Sequence, residues 1–169
     1  MKHTISVLVE NHAGVLSRIS GLFSRRGFNI DSLAVGVTED PTISRITIVV
    51  DGNDHTVEQV EKQLNKLIDV LKVRTIPSDE LLKRELVLIK IEATPNERRE
   101  IMDIVQILGA RIIDLTVTTL TIEVTEKTEN IERLLALLSE YSVKEIARTG
   151  VIALQKGSDT IKGNGKQIL

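Results

Sequence analysis

Apolar residues recur along this chain in two rhythms, and the order of those rhythms repeats. Ile5, Val7 and Val9 occupy every second position of 4–10, the period of a half-buried strand. Val15, Leu16, Ile19, Leu22 and Phe23 then fall at the spacing of an amphipathic helix, predicted over 14–26 and stopped by Gly27. A strand over 28–38 follows, with Leu33, Val35 and Val37 alternating. The run Thr38-Glu39-Asp40-Pro41-Thr42 is turn chemistry, and 43–51 reads as another strand. Asp54 is expected to cap a second helix bearing Val57, Val60, Leu64 and Leu67, and 69–76 is a fourth strand.

The same succession then returns. Strand 85–93 runs into Thr94-Pro95-Asn96-Glu97, a capping box with proline at the first helical position. Ile101, Ile104, Val105 and Leu108 form the helical stripe, which stops at Gly109. Strands at 111–117 and 119–125, a helix from about 129 to 141, and a closing strand at 143–155 complete the second set. Each set is strand, helix, strand, strand, helix, strand. The expected class is therefore α+β: two tandem ferredoxin-like βαββαβ domains, each a four-stranded antiparallel sheet with two helices on one face. The boundaries are a first domain at 1–77, a polar linker at 78–84, a second domain at 85–157, and a Gly- and Lys-rich tail at 158–169 expected to be poorly ordered. Domains this small are marginal alone. In the first sheet Arg45, Thr47 and Val49 alternate with Ile46 and Ile48, so both faces are partly apolar, which points to side-by-side or face-on dimerisation.

Charge narrows the function classes. With 22 basic and 24 acidic residues, the chain has no surplus for a nucleic-acid surface. It lacks cysteine, which excludes disulfides and thiolate metal sites and makes a cytoplasmic location natural. No apolar run is long enough to span a membrane.

The chemistry of a catalytic centre is also missing. His3, His12 and His55 share no metal-ligand spacing and read as solvated residues near element ends, so no metal site is expected. Gly163-Asn164-Gly165-Lys166 lacks the upstream glycine, the following Ser or Thr and the flanking strand and helix of a phosphate loop. An RNA-binding sheet would present stacking aromatics, but Phe23 lies on a helix stripe and Phe28 at a strand start. An acylphosphatase-like enzyme would want an arginine in the first strand–helix loop; the first arginine, Arg18, lies a full turn into the helix.

That first loop holds the best candidate site. Glu10-Asn11-His12-Ala13-Gly14-Val15-Leu16 joins strand to helix, and Gly14 at the helix mouth leaves backbone N–H groups open to an anion. Asn11 adds an amide that donates and accepts. Asn29, at the far end of the same helix, cannot reach Gly14 within one subunit, because a helix of about 12 residues is roughly 18 Å long. Across a two-fold axis it reaches the partner's loop. The expected site combines the N–H groups of Gly14, Val15 and Leu16 with Asn11 and a partner Asn29, while Val15, Leu16 and Ile30 form a small apolar pocket.

The segments ENHAGVLSRISGLFSRRGFNIDSLAVG and EDPTISRITIVVDG closely resemble the start of the regulatory (small) subunit of acetolactate synthase, whose first domain is an ACT domain. The second repeat, ending in ARTGVIALQKG at 147–157, resembles that family's C-terminal domain. The resemblance implies a non-catalytic subunit that activates a separate catalytic (large) subunit and makes it sensitive to valine, in branched-chain amino acid synthesis. It implies a homodimer through the ACT domains, no cofactor on this chain, and thiamine diphosphate, Mg²⁺ and FAD on the catalytic partner. Two other readings remain open: a stand-alone ACT-type amino-acid sensor controlling another enzyme or a transcription factor, and an adaptor whose sheets only pair.

Overall fold

The computed structural model describes residues 1–163. The described residues divide into two compact units: Met1–Lys83 together with Val151–Gly163, and Arg84–Gly150.

The first unit is built from β1 (Lys2–Glu10), α1 (Val15–Arg26), β2 (Ile30–Val37), β3 (Ile43–Asp51), α2 (Asp54–Leu64) and β4 (Val70–Ile76). The sheet order is β2-β3-β1-β4, with β1 antiparallel to both neighbours. Register follows the alternation: Val7 stands between Ile46 and Val73, and Ile5 opposite Ile48. Ile5, Val7 and Val9 join Ile46, Ile48 and Val50 in one core with Val15, Ile19, Leu22 and Phe23 of α1 and Val57, Val60 and Leu64 of α2. Gly27, at φ 68°, ends α1 in the left-handed conformation that glycine adopts without strain. The N-cap of α2 is Asn53, one residue before the expected Asp54; its Oδ1 accepts the Thr56 N–H at 2.9 Å. Asp54 instead opens the first turn, where its charge suits the helix dipole.

In the second unit β5 (Leu81–Glu92), α3 (Pro95–Ile107), β6 (Arg111–Leu115), β7 (Thr119–Glu126), α4 (Thr128–Leu138) and β8 (Ser142–Arg148) repeat the topology in the order β6-β7-β5-β8. Val87, Ile89 and Ile91 pack with Leu120, Ile122, Ile101, Ile131 and Leu134. The capping box of α3 forms as expected: Glu97 Oε2 accepts the Thr94 N–H at 2.7 Å, and Thr94 Oγ1 accepts the Glu97 N–H at 3.4 Å. The buried Glu85 carboxylate takes two bonds from Arg148, at 2.8 and 3.0 Å.

Two expectations differ from the structure at the domain boundaries. The linker expected at 78–84 is shorter, because β5 already begins at Leu81. The strand expected over 143–155 is interrupted at Thr149 and Gly150, where Gly150 has φ 78°. Beyond that break β9 (Ile152–Gln155) belongs to the first unit rather than the second. The chain from 151 to 162 then lies against the sheet face opposite the helices. Ser32 Oγ accepts the Val151 N–H at 2.8 Å, Arg45 Nη2 donates to the Ala153 carbonyl at 2.9 Å, and Arg74 Nη1 donates to the Thr160 carbonyl at 2.6 Å. Lys162 pairs with Glu39 at 2.7 Å, and Ile161 is buried. Part of the tail expected to be poorly ordered is thus placed by contacts, while 164–169 lie outside the described residues. On that face Leu8 and Val49 are buried within one chain.

A chain ending at Gly150 should therefore lose on the order of 2 kcal/mol of stability from unburied apolar area alone. It should also bind a hydrophobic dye that the full chain excludes. Equal unfolding midpoints in denaturant would show that the segment contributes nothing to the sheet.

Candidate functional site

β1 delivers the chain to the loop in a fixed position. The Glu10 N–H bonds the Asp69 carbonyl at 2.9 Å, and the Asn11 N–H bonds the Thr42 carbonyl at 2.7 Å. Asn11 Nδ2 donates to the Pro41 carbonyl at 2.9 Å, tying the amide to the β2–β3 turn and leaving Oδ1 to accept. That turn is itself held by Asp40 Oδ1, which accepts the Thr42 N–H at 2.9 Å.

Gly14 is the N-cap of α1 at φ 90°, and no side chain caps this helix. The first intrahelical bond runs from the Arg18 N–H to the Gly14 carbonyl, at 3.0 Å. The first-turn N–H groups of Val15 and Leu16 therefore point out of an uncapped helix start, with the positive end of the dipole behind them. Arg18 folds back over this mouth: a Cβ on Gly14 would stand 3.7 Å from Arg18 Nη1. Its Nε binds Asp69 Oδ2 at 2.7 Å, which fixes the guanidinium beside the glycine. Asp69 is buried, at 5% exposure.

His12 is not simply solvated. Its Nδ1 lies 3.1 Å from the Ala13 carbonyl, and its Nε2 lies 3.1 Å from Glu10 Oε2 and 3.0 Å from Asp69 Oδ1. A carbonyl only accepts, so Nδ1 carries a proton. Nε2 then faces two carboxylates and is best satisfied as an N–H as well. The Ala13 carbonyl bond, followed by the Glu10 bond and the charges of Asp69 and Glu10, raises the His12 pKa above its ordinary 6.5. Glu10, His12 and Asp69 also bring three possible metal-ligand atoms within 4.8 Å of one another, a convergence that histidine spacing did not reveal. With His12 protonated and Arg18 in place, the four side chains alternate in charge.

The structure sorts the expected site residues into two groups. Asn11, Gly14, Val15 and Leu16 lie together at the loop and helix mouth. Asn29 and Ile30 lie beyond the other end of the 12-residue α1. Asn29 is exposed and donates to Asp31 Oδ1 at 3.3 Å. The apolar pocket is not assembled as expected, because the Val15 and Ile30 side chains pack into or against the unit's own core. Val15 contributes its backbone, and only Leu16, 45% exposed, offers a free apolar side chain. Arg18 and Asp69 are additions to the expected set. Arg18 is visible in sequence as a cation four positions after Gly14, whereas Asp69 arrives through the β1–β4 pairing.

Comparison with known proteins accords with this architecture. Residues 5–72 match the model of the AHAS small subunit-like ACT domain, and residues 84–157 match that of the small subunit of acetolactate synthase. A probable acetolactate synthase small subunit from Archaeoglobus fulgidus is 51% identical over 158 residues, covering 94% of this chain and 99% of that one. The chain belongs to the acetolactate synthase small-subunit family. The acetolactate synthase small subunit of Mycolicibacterium smegmatis is 49% identical, over 92% of this chain and 91% of its own length. The crystal structure of the Thermotoga maritima small subunit superposes with a TM-score of 0.88 at 40% identity, over 94% of this chain and 99% of that one. Among the described residues, no helix is long and apolar enough to cross a membrane.

The His12 environment has a measurable consequence. Because its folded pKa is raised, its contribution to stability is fully present below the unfolded value near 6.5 and is lost as pH rises through the folded value. The stability gap between the wild type and His12→Gln should accordingly narrow as pH rises through that folded value. An NMR titration should give a His12 midpoint above 6.5; a midpoint at or below it would mean that the carboxylates do not engage the ring.

Proposed function

We propose that this chain is the regulatory subunit of acetolactate synthase, which binds a catalytic large subunit, raises its activity and makes it sensitive to valine. The observation that carries the effector reading is the uncapped start of α1 at Gly14, with the Arg18 guanidinium beside it. Backbone N–H groups, a helix dipole and a guanidinium converge on one point, which is the recognition chemistry of a carboxylate. The free Oδ1 of Asn11 suits the ammonium of an amino acid, and Leu16 offers an apolar surface to a short aliphatic side chain. One methylene in such a contact is worth about 1–3 kcal/mol, so valine over leucine or isoleucine is a preference rather than an absolute choice.

In this reading the site is completed across a homodimer of ACT domains. Asn29 and Ile30 lie too far along α1 to act on their own loop, and a two-fold axis brings a partner's Asn29 to it. A ligand at such a seam stabilises one subunit arrangement, and a coupling of about 1–3 kcal/mol passes to the catalytic partner. The chain is itself non-catalytic, and thiamine diphosphate, Mg²⁺ and FAD belong to that partner.

Gly14→Asp sets a carboxylate beside Arg18 where the effector's belongs, at a position where positive φ adds about 1–2 kcal/mol of strain. In an assay with the catalytic subunit, it should abolish valine inhibition and leave activation largely intact. Asn29→Ala should raise the valine concentration needed for half-inhibition by about tenfold, the loss of one charge-assisted bond. Full valine sensitivity in Gly14→Asp would mean that the site lies elsewhere. Unchanged inhibition in Asn29→Ala would argue against a site shared by two subunits. Amino-acid binding with no effect on the catalytic subunit would favour a stand-alone sensor.

A further inference from the structure

Three donor atoms from separate stretches of the first unit converge beside the loop: Glu10 Oε2 at the end of β1, His12 Nε2 in the loop itself, and Asp69 Oδ1 just before β4. All three lie within 4.8 Å of one another, and Nε2 stands 3.1 Å from the Glu10 oxygen and 3.0 Å from that of Asp69. A ring N–H carries one proton along one axis, so it serves one of these oxygens well and the other poorly. Two carboxylates converging on a single imidazole nitrogen therefore hold acceptor capacity that a proton there does not use.

The set has the spacing and the outer supports of a metal centre. Ligand atoms about 2.0 Å from a tetrahedral Zn²⁺ stand roughly 3.3 Å apart, so both nitrogen–oxygen separations are already close to those of a coordinated ion. His12 Nδ1 donates to the Ala13 carbonyl at 3.1 Å, which leaves Nε2 as the ring's ligating nitrogen. Asp69 is buried, and its Oδ2 accepts from Arg18 Nε at 2.7 Å, so this carboxylate is oriented from its outer side. Glu10 is tied to the same stretch through its backbone, with its N–H on the Asp69 carbonyl at 2.9 Å. Charge agrees as well: with the ring neutral, two carboxylates outweigh the single guanidinium of Arg18. An imidazole in the donor set favours Zn²⁺ over Mg²⁺ or Ca²⁺, which prefer shells made of oxygen alone.

We propose that Glu10, His12 and Asp69 form a three-ligand site for Zn²⁺, with a fourth position open to water on the exposed side of Glu10 and His12. The ion takes the place of the proton on Nε2 and joins the end of β1, the loop and the residue preceding β4. The assignment does not depend on valine binding, because its readouts need neither an effector nor the catalytic subunit.

The test is a titration of the full chain with Zn²⁺, followed by NMR of the His3, His12 and His55 rings, with Mg²⁺ as the comparison ion. A saturable change at the His12 ring is expected with Zn²⁺ and not with Mg²⁺. Zn²⁺ should also raise the thermal unfolding midpoint of the wild type, and that rise should vanish in His12→Gln. Its affinity should fall at least about tenfold in Glu10→Gln and in Asp69→Asn, since even outer-shell losses cost that much. Because Asp69 also holds Arg18, Glu10→Gln, at an exposed side chain, is the decisive variant. Wild-type affinity in Glu10→Gln would overturn the proposal, because the ion would then be held by the ring alone. So would the absence of a saturable His12 change at millimolar Zn²⁺, or equal changes at all three rings, which mark adventitious coordination.

Discussion

The central strand of the first unit, Lys2–Glu10, is buried on both faces, and the positions of the other functional parts follow from that double burial. Ile5, Val7 and Val9 close the core against the helices, while Ser6 and Leu8 lie under the segment that follows Gly150. A strand committed on both sides cannot slip by one residue without exchanging the two sets. Its register therefore holds Glu10 against Asp69 and Asn11 against Thr42. The loop begins from a fixed origin.

The repeated topology shows why only one of the two equivalent loops is a candidate site. In the second unit the turn from β5 into α3 carries Thr94 and Glu97, which occupy each other's backbone N–H groups. In the first unit the corresponding turn carries Gly14, and its helix start has no side-chain cap. One helix start is satisfied internally and the other is without a side-chain cap. The neighbouring charges reinforce that difference, since Asp69 holds Arg18 over the mouth and His12 between two carboxylates.

Much of this was legible in the sequence because it rests on local period and local chemistry. Strand and helix rhythms, the glycine stops and the capping box depend on residues a few positions apart, and the loop glycine announces itself by its place between a strand and a helix. What escaped depends on distance along the chain. Asp69 reaches Arg18 only through strand pairing, and Ser32 meets Val151 across most of the sequence. Within one chain Val15 packs in the unit's core and Ile30 against it, a packing role that an apolar residue type does not disclose. The break at Gly150 was hidden inside an apolar run whose alternation continues on both sides of it.

Because the segment from Val151 to Gly163 returns to the first unit, that unit is discontinuous in sequence, with the second unit inserted between its parts. During synthesis, the helices and four strands of the first unit leave the ribosome long before the segment that covers Ser6 and Leu8. The nascent chain thus carries that sheet face uncovered for as long as the second unit takes to be made.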